Sequence, residues 1–180
     1  AEASTRIEGR FADAPLVEAA VRLALAGTLN ELGLGADAEV HARRAYELRQ
    51  LHVGGEVLET FEAGRELARA LHWQGKSEES IALHEVLWAD SCAAWGKDEG
   101  YGLVVAGNLA TAYVEAGRYE DAERLHREIL GIRLRVFGEQ HESTLTTMNN
   151  LANALIYLRR HTEALEMLER TVQGREQLLG

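Results

Sequence analysis

Two arginines one helical turn apart are the first residues whose types and spacing suggest chemistry. Arg65 and Arg69 are four residues apart, so in a helix they would share one face. Two guanidinium groups on one face can hold a carboxylate through bidentate hydrogen bonds. Glu62 and Glu66 each lie three residues before one of these arginines, and a ladder of solvated salt bridges explains the same residues. The sequence leaves both interpretations open.

A metal site is the second chemistry that the spacing suggests. His84 and His126 stand at positions that equivalent helices of a repeat would share. A zinc site needs a third and usually a fourth ligand, and none follows at a recognisable spacing. Cys92 is the only cysteine of the chain. The sequence therefore predicts no metal site and assigns both histidines to a packing or hydrogen-bonded position of the repeat.

Catalytic motifs are absent from the sequence. It contains no phosphate-binding loop, HExxH, nucleophile elbow or kinase motif. The paired acids Glu78-Glu79 and Glu120-Asp121 lie at predicted helix starts, where the helix dipole explains negative charge. We therefore predict no catalytic residue, no cofactor and no enzymatic activity.

An internal repeat organises the chain. Glycines recur at one constant interval in two series, Gly33, Gly75 and Gly117, and Gly54, Gly96, Gly138 and Gly180. The same dipeptide recurs between them, as Leu25-Ala26, Leu67-Ala68, Leu109-Ala110 and Leu151-Ala152. Units that share such a period stack on one another, because one unit alone cannot bury its apolar face.

Each repeat has the pattern of two helices separated by a short turn. In the third copy, apolar residues follow helical spacing over residues 100–116, and Gly117 ends that helix in the way glycine commonly does. A second apolar stripe continues to about Val136 and is closed by Gly138. In the last copy Arg159 replaces the turn glycine.

These residues resemble the tetratricopeptide repeat (TPR) in the long, 42-residue form of kinesin light chain. The family pattern is matched by Leu109-Ala110, Tyr113, Gly117 and Ala122. The kinesin-light-chain text is matched from His141 to Ala152, with Glu142 in place of a proline. The resemblance implies an all-α protein, a right-handed α-solenoid of four antiparallel helix pairs. It divides the chain into a lead-in at 1–12, expected to be the tail of a preceding helix, and a TPR domain at 13–180 with repeats 13–54, 55–96, 97–138 and 139–180.

The resemblance also implies where a ligand binds, because the first helix of each repeat lines the concave face in this family. The predicted groove residues are Arg65, Arg69, His72, Trp73, Asn108, Thr111, Asn149, Asn150, Asn153 and Tyr157. An asparagine amide presents one acceptor and two donors, so it matches the C=O and N–H of an extended peptide. The alternative is that the asparagines bond within the scaffold. Trp73 and Tyr157 are either aromatic anchors at the groove edge or packing residues.

Composition narrows the partners. With 46% hydrophobic residues, 6% aromatic residues and one proline, the chain has the composition of a helical protein rich in alanine and leucine. Its net charge of −10 disfavours nucleic acid and anionic membranes. It contains no apolar run of the roughly 18 residues that span a bilayer and no signal peptide. We expect a cytoplasmic protein whose partner is a peptide segment or another protein, with homo-oligomers forming through uncapped repeat ends.

A further resemblance concerns the parent protein. Residues 11–22 are similar to the start of the repeat regions that follow catalytic domains in some bacterial serine/threonine kinases. The leading hypothesis is a non-enzymatic interaction scaffold. The alternatives are the regulatory or docking region of a larger bacterial signalling enzyme, such as a kinase, and a receptor for a small signalling peptide.

Overall fold

A computed structural model describes residues 10–11, 13–55, 58–97 and 100–179. All regular structure in these ranges is α-helical, which confirms the predicted fold class. The helices are α1 Pro15–Glu31, α2 Gly35–Val53, α3 Leu58–Trp73, α4 Ser77–Trp95, α5 Gly100–Glu115, α6 Tyr119–Val136, α7 Glu142–Tyr157 and α8 His161–Leu179. The chain forms two compact units, Ala1–Asp90 and Ser91–Gly180.

The helices fall inside the predicted repeat bounds, and the division into repeats as domain units stays a prediction. Arg10 and Phe11 form a turn, and the Phe11 carbonyl accepts a hydrogen bond from the amide of Ala14 at 2.8 Å. The other residues of the predicted lead-in, 1–9 and 12, lie outside the described residues.

The turn within each helix pair has one conformation. Gly33, Gly75 and Gly117 have φ values of 72°, 71° and 76°, as expected for residues that end a helix in the left-handed region. Arg159 takes the same conformation with φ 61°, although a side chain there costs about 1–2 kcal/mol. Because the four turns share this conformation, the two helices of each pair run antiparallel.

Small residues set the distance between paired helices. The alanines of the recurring Leu-Ala dipeptide are all fully buried: Ala26, Ala68, Ala110 and Ala152. The second helix of each pair contributes an equally buried small residue: Ala38, Ser80, Ala122 and Ala164. Ser80 adds a hydrogen bond, because its Oγ donates to the carbonyl of Ala68 at 2.9 Å. The close approach of the paired helices at these positions determines how the other side chains between them pack.

A buried ion pair in α1 is not anticipated by the repeat pattern. Arg22 is only 1% exposed, and its Nε donates to Glu18 at 2.7 Å. One guanidinium nitrogen also lies 3.4 Å from Nδ1 of His41 on α2. Burial, with the nearby Arg22 charge, lowers the pKa of His41. Truncating Glu18 would leave the guanidinium buried and unpaired, which is strongly destabilising.

The two repeat-related histidines are packing residues. His84 and His126 are buried, and Nδ1 of each has no hydrogen-bond partner among the described residues. Burial lowers the pKa of both to about 4, and in His126 the charge of Arg133 acts in the same direction. Both imidazoles are therefore neutral in the folded protein at neutral pH.

We expect the free energy of unfolding to fall as the pH drops from about 6.5 to about 4. In that window the unfolded chain binds protons that the buried rings do not, so the folded state loses stability. Each ring can contribute on the order of 3 kcal/mol, since one pKa unit corresponds to about 1.4 kcal/mol. His126→Leu removes one of these rings, so the free energy of unfolding, measured with urea between pH 4.5 and 6.5, should depend less steeply on pH. Leucine suits the position, because Leu168 already stands at the equivalent place in α8. An unchanged dependence of the unfolding free energy on pH would contradict the assignment.

Two glycines of the second helices should respond oppositely to alanine. A Cβ on Gly35 would lie 2.7 Å from the Cβ of Trp73 and 3.0 Å from the carbonyl oxygen of Ala70, so Gly35→Ala should cost about 1–3 kcal/mol. A Cβ on Gly131 meets nothing within 4 Å, and Gly131→Ala should stabilise the helix by about 0.5–1 kcal/mol. Guanidinium unfolding of both variants checks the pair. Equal effects would mean that α2 does not approach α3 as closely as described.

Candidate functional site

In the first unit, the predicted arginine pair surrounds a carboxylate of its own helix. Arg69 lies 2.7 Å from Glu66 Oε2, and Arg65 lies 3.6 Å from Oε1. The Asn30 side chain reaches the same carboxylate from α1, with Nδ2 donating at 2.9 Å to Oε2 and at 2.9 Å to the backbone carbonyl of Glu66. Glu66 is 8% exposed. The three side chains form an anion-binding cradle that Glu66 fills.

Arg69 also ties α3 to α1. Its guanidinium donates to the backbone carbonyl of Gly27 at 3.2 Å. A ligand carboxylate at this place would therefore have to displace Glu66 and compete with helix-to-helix contacts. The sequence left open a carboxylate clamp or a salt-bridge ladder at these arginines, and the salt bridge between Glu66 and Arg69 belongs to the second interpretation.

His72 and Trp73, at the end of α3, lie on the surface of the first unit. Both side chains are exposed, and their ring centroids are 6.0 Å apart with the planes tilted by 55°. The Cβ of Trp73 lies against Gly35 at the start of α2. Trp73 thus packs at its base and exposes its ring.

In the second unit, the predicted asparagines lie on α5 and α7, two helices that contact each other. Asn149 and Asn153 are exposed, and Asn108 and Asn150 are half-buried. Within the described ranges, none of these four amides forms a side-chain hydrogen bond to the protein. They contrast with Asn30, whose amide is bonded to Glu66. Their donors and acceptors remain available to a ligand.

The other two predicted residues of the second unit have intramolecular contacts. Thr111 is exposed, and its Oγ1 donates to the carbonyl of Gly107 one turn earlier at 3.0 Å. Tyr157, half exposed, stacks on Tyr119 at the start of α6, with centroids 4.5 Å apart and planes within 3° of parallel. The stacked rings form a flat apolar surface beside the last turn of α7.

Ionic contacts between neighbouring second helices are a feature that was not predicted from the sequence. In the first unit Glu39 accepts from Arg43 and Lys76, each at 2.7 Å. The signal lay in the repeat itself, because the same three places, two repeats later, hold Glu123, Arg127 and Arg160. These residues pair in the same way in the second unit, with Glu123 at 2.8 Å from Arg127 and 2.6 Å from Arg160.

The described residues hold neither a candidate metal site nor a helix that could span a membrane. There, no group of three or more His, Cys, Asp or Glu side chains could hold a metal ion. Nor does any helix in those ranges have the length and apolar character that crossing a membrane requires.

Comparison with known proteins identifies the repeat. Residues 103–177 match the family model described as "Tetratricopeptide repeat". No curated protein sequence matches the chain significantly.

Several solved structures share the fold. Nearly identical TPR-like repeats, described as those of a kinesin light chain of Podosopora anserina, superpose with a TM-score of 0.77 at 23% identity, covering 87% of this chain and 74% of that one. BtubC (BKLC) from P. vanneervenii gives a TM-score of 0.83 at 17% identity, covering 92% and 66%. The apo form of RapI gives 0.77 at 13% identity, covering 90% and 57%. Residues 103–177 therefore belong to the tetratricopeptide repeats, and the chain has the α-solenoid fold of the kinesin-light-chain-like repeats.

Proposed function

We propose that the chain is a non-catalytic protein-binding module whose second unit holds an extended peptide by its backbone. The observation that supports this most is the set of four asparagine amides on α5 and α7 that form no hydrogen bond to the part of the chain that the structure describes. Tetratricopeptide folds serve in general as protein-interaction scaffolds. A cluster of unbonded amides fits an extended peptide, whose C=O and N–H groups alternate along the strand.

The energetics of the helix support the same assignment. Asparagine costs about 0.6 kcal/mol more than alanine at a helix interior position. Asn149, Asn150 and Asn153 carry this cost within two turns of α7, and no hydrogen bond to the described residues offsets it. A ligand that bonds these amides accounts for their presence.

We assign the arginines of the first unit a supporting role. Arg65 and Arg69 already face Glu66, so an acidic ligand group gains only the difference between its own contacts and those of Glu66. In the first unit His72 and Trp73, and in the second unit Tyr157, present exposed rings that can cover an apolar side chain. Backbone recognition in the second unit, and not a carboxylate clamp, is then the main source of affinity.

The partner in this proposal is a peptide segment or a protein, and the compartment is the cytoplasm. A net charge of −10 opposes binding to nucleic acid and to anionic lipid. The placement of this chain behind a kinase domain stays a prediction from residues 11–22. Sequencing of the parent gene upstream of Ala1 decides that point.

Self-association is a second part of the proposal, and it rests on α8. Val172 is 55% exposed, whereas Leu130, at the equivalent place in α6, is 8% exposed because it packs in the core cluster with α7. Leu165 is also exposed on α8. We expect a concentration-dependent sedimentation coefficient that Leu165→Lys/Val172→Lys abolishes. A wild-type protein that stays monomeric at high concentration would contradict this part alone.

The asparagine assignment predicts a coupling between protein and ligand. Peptides selected by wild-type protein from a library of short random sequences should bind Asn108→Ala/Asn150→Ala more weakly, by about 1 kcal/mol or more for each lost hydrogen bond. Alanine favours the helix, so the melting temperature of the double variant should not fall.

N-methylation of the selected peptide provides the specific test, measured by isothermal titration calorimetry. It removes backbone donors, so it should weaken binding to wild type more than binding to the double variant, which retains only Asn149 and Asn153. Gln173→Ala removes an exposed amide from α8 and serves as the matched control that keeps wild-type affinity. Additive effects of the two changes would remove the asparagines from the binding surface, and early melting would assign them to the scaffold.

A further inference from the structure

An open cavity of about 390 Å³ lies in the first unit, bounded by α2, α3 and α4. Arg65 and Arg69 of the candidate groove also lie on α3 but are not among the residues that line this cavity. Tyr46, Leu67 and Leu71 form its floor, and Arg43, Glu47 and Glu79 stand at its rim. Cavities of this size are in the range that binds small ligands or single side chains.

The floor is apolar and belongs to the packed core. Leu67 and Leu71 are almost fully buried, and the Tyr46 ring is buried beside them. An apolar side chain that enters the cavity therefore meets fixed, water-excluding surface without rearranging the helices. Ala82, on α4, is exposed at the cavity and leaves the space above the floor open.

The rim carboxylates are only loosely paired. Arg43 lies 2.7 Å from Glu39 but 4.0 Å from Glu79. Glu47 has Arg44 at 3.7 Å. Both distances exceed an ordinary charged hydrogen bond of about 2.7–2.9 Å. The side chains of Glu47 and Glu79 are 54% and 61% exposed, so they are accessible to a cation from outside.

Glu39 keeps Arg43 from neutralising the rim. Burial alone would raise the pKa of Glu39, but hydrogen bonds from Lys76, Arg43 and Gln74 outweigh it and lower that pKa to about 2. Glu39 is therefore ionised at any physiological pH and retains the Arg43 guanidinium.

The equivalent place in the second unit differs in charge. Glu163, the counterpart of Glu79, has Arg160 at 2.6 Å and Arg127 at 3.0 Å. Gly131 stands where the first unit has Glu47. Loose carboxylates are thus a property of the first unit's cavity and not of the repeat pattern.

We infer that this cavity is a second binding site, which takes a peptide segment carrying a large apolar side chain next to a lysine or arginine. The apolar side chain covers Tyr46, Leu67 and Leu71. The adjacent cation pairs with Glu47 and Glu79 at the rim. This partner differs from the peptide of the proposed groove in both site and chemistry.

Three capped dipeptides that differ in their second residue, which is positive, neutral or negative, test the inference, with ¹⁵N-labelled protein observed by NMR. Acetyl-Phe-Lys-amide should shift the amide signals of Tyr46, Gln50 and Ala82, with a dissociation constant on the order of 1–10 mM. Acetyl-Phe-Gln-amide should bind about threefold or more weakly, and acetyl-Phe-Glu-amide more weakly still. Equal affinities, a preference for the acidic probe, or no shifts at the cavity would overturn the inference.

Two variants connect the preference to the cavity. Glu47→Gln/Glu79→Gln should remove the difference between the lysine and glutamine probes. Glu120→Gln/Glu169→Gln, which changes the net charge equally at exposed acids of the second unit, should keep it. If the control pair removes the preference as well, only overall charge is at work and the inference is wrong.

Blocking the cavity gives an independent readout. Ala82→Phe should abolish the shifts from all three probes, because the new ring occupies the space above the floor. Asn108→Ala/Asn150→Ala should leave them unchanged, so failure here and failure of the proposed groove are distinguishable. Binding that survives Ala82→Phe in a folded protein would place the probes elsewhere.

Discussion

Close contact between small residues is the constraint on which the other contacts depend. Ala68 of α3 and Ser80 of α4 are both buried at the point where their helices meet, and a larger side chain on either would force the helices apart. The depth of the helix contact fixes which positions face inward. The outward positions, including the asparagines of α7 and the cavity rim of α2, follow from the same geometry.

The elements of the fold could be predicted because their signals are local. A helix stripe is read from spacing, and a turn such as that at Gly117 is read from one residue, since glycine takes positive φ without strain. Even Arg159 is placed correctly by the repeat, although its own preference opposes the conformation that it adopts. Repetition supplies the register where local preference is weak.

Side-chain partners were harder to predict, because they depend on distances between helices that the sequence does not contain. Arg22 stands where other repeats have Gly64, Ala106 or Met148, so the pattern predicts a small or apolar residue and not a buried ion pair. Likewise Asn30 bonds Glu66 across 36 residues. The periodicity shows that these residues lie on related helices, but only the structure shows which atoms meet.

The alternation of the outer ion pairs bears on how such a chain can be lengthened. Glu39 on α2 and Glu123 on α6 occupy equivalent places in their repeats, whereas Ile81 on α4 and Leu165 on α8 occupy that place in the other two repeats. A duplication of two whole repeats would therefore reproduce each glutamate together with its basic neighbours. A duplication of residues 77–118 would copy Ile81 in place of a glutamate. The copied Arg118 would then have no glutamate on the neighbouring helix and would pair within its own helix, as Arg118 does with Asp121. In chemical terms the heritable module of this array is two repeats long, twice the length that its glycines mark.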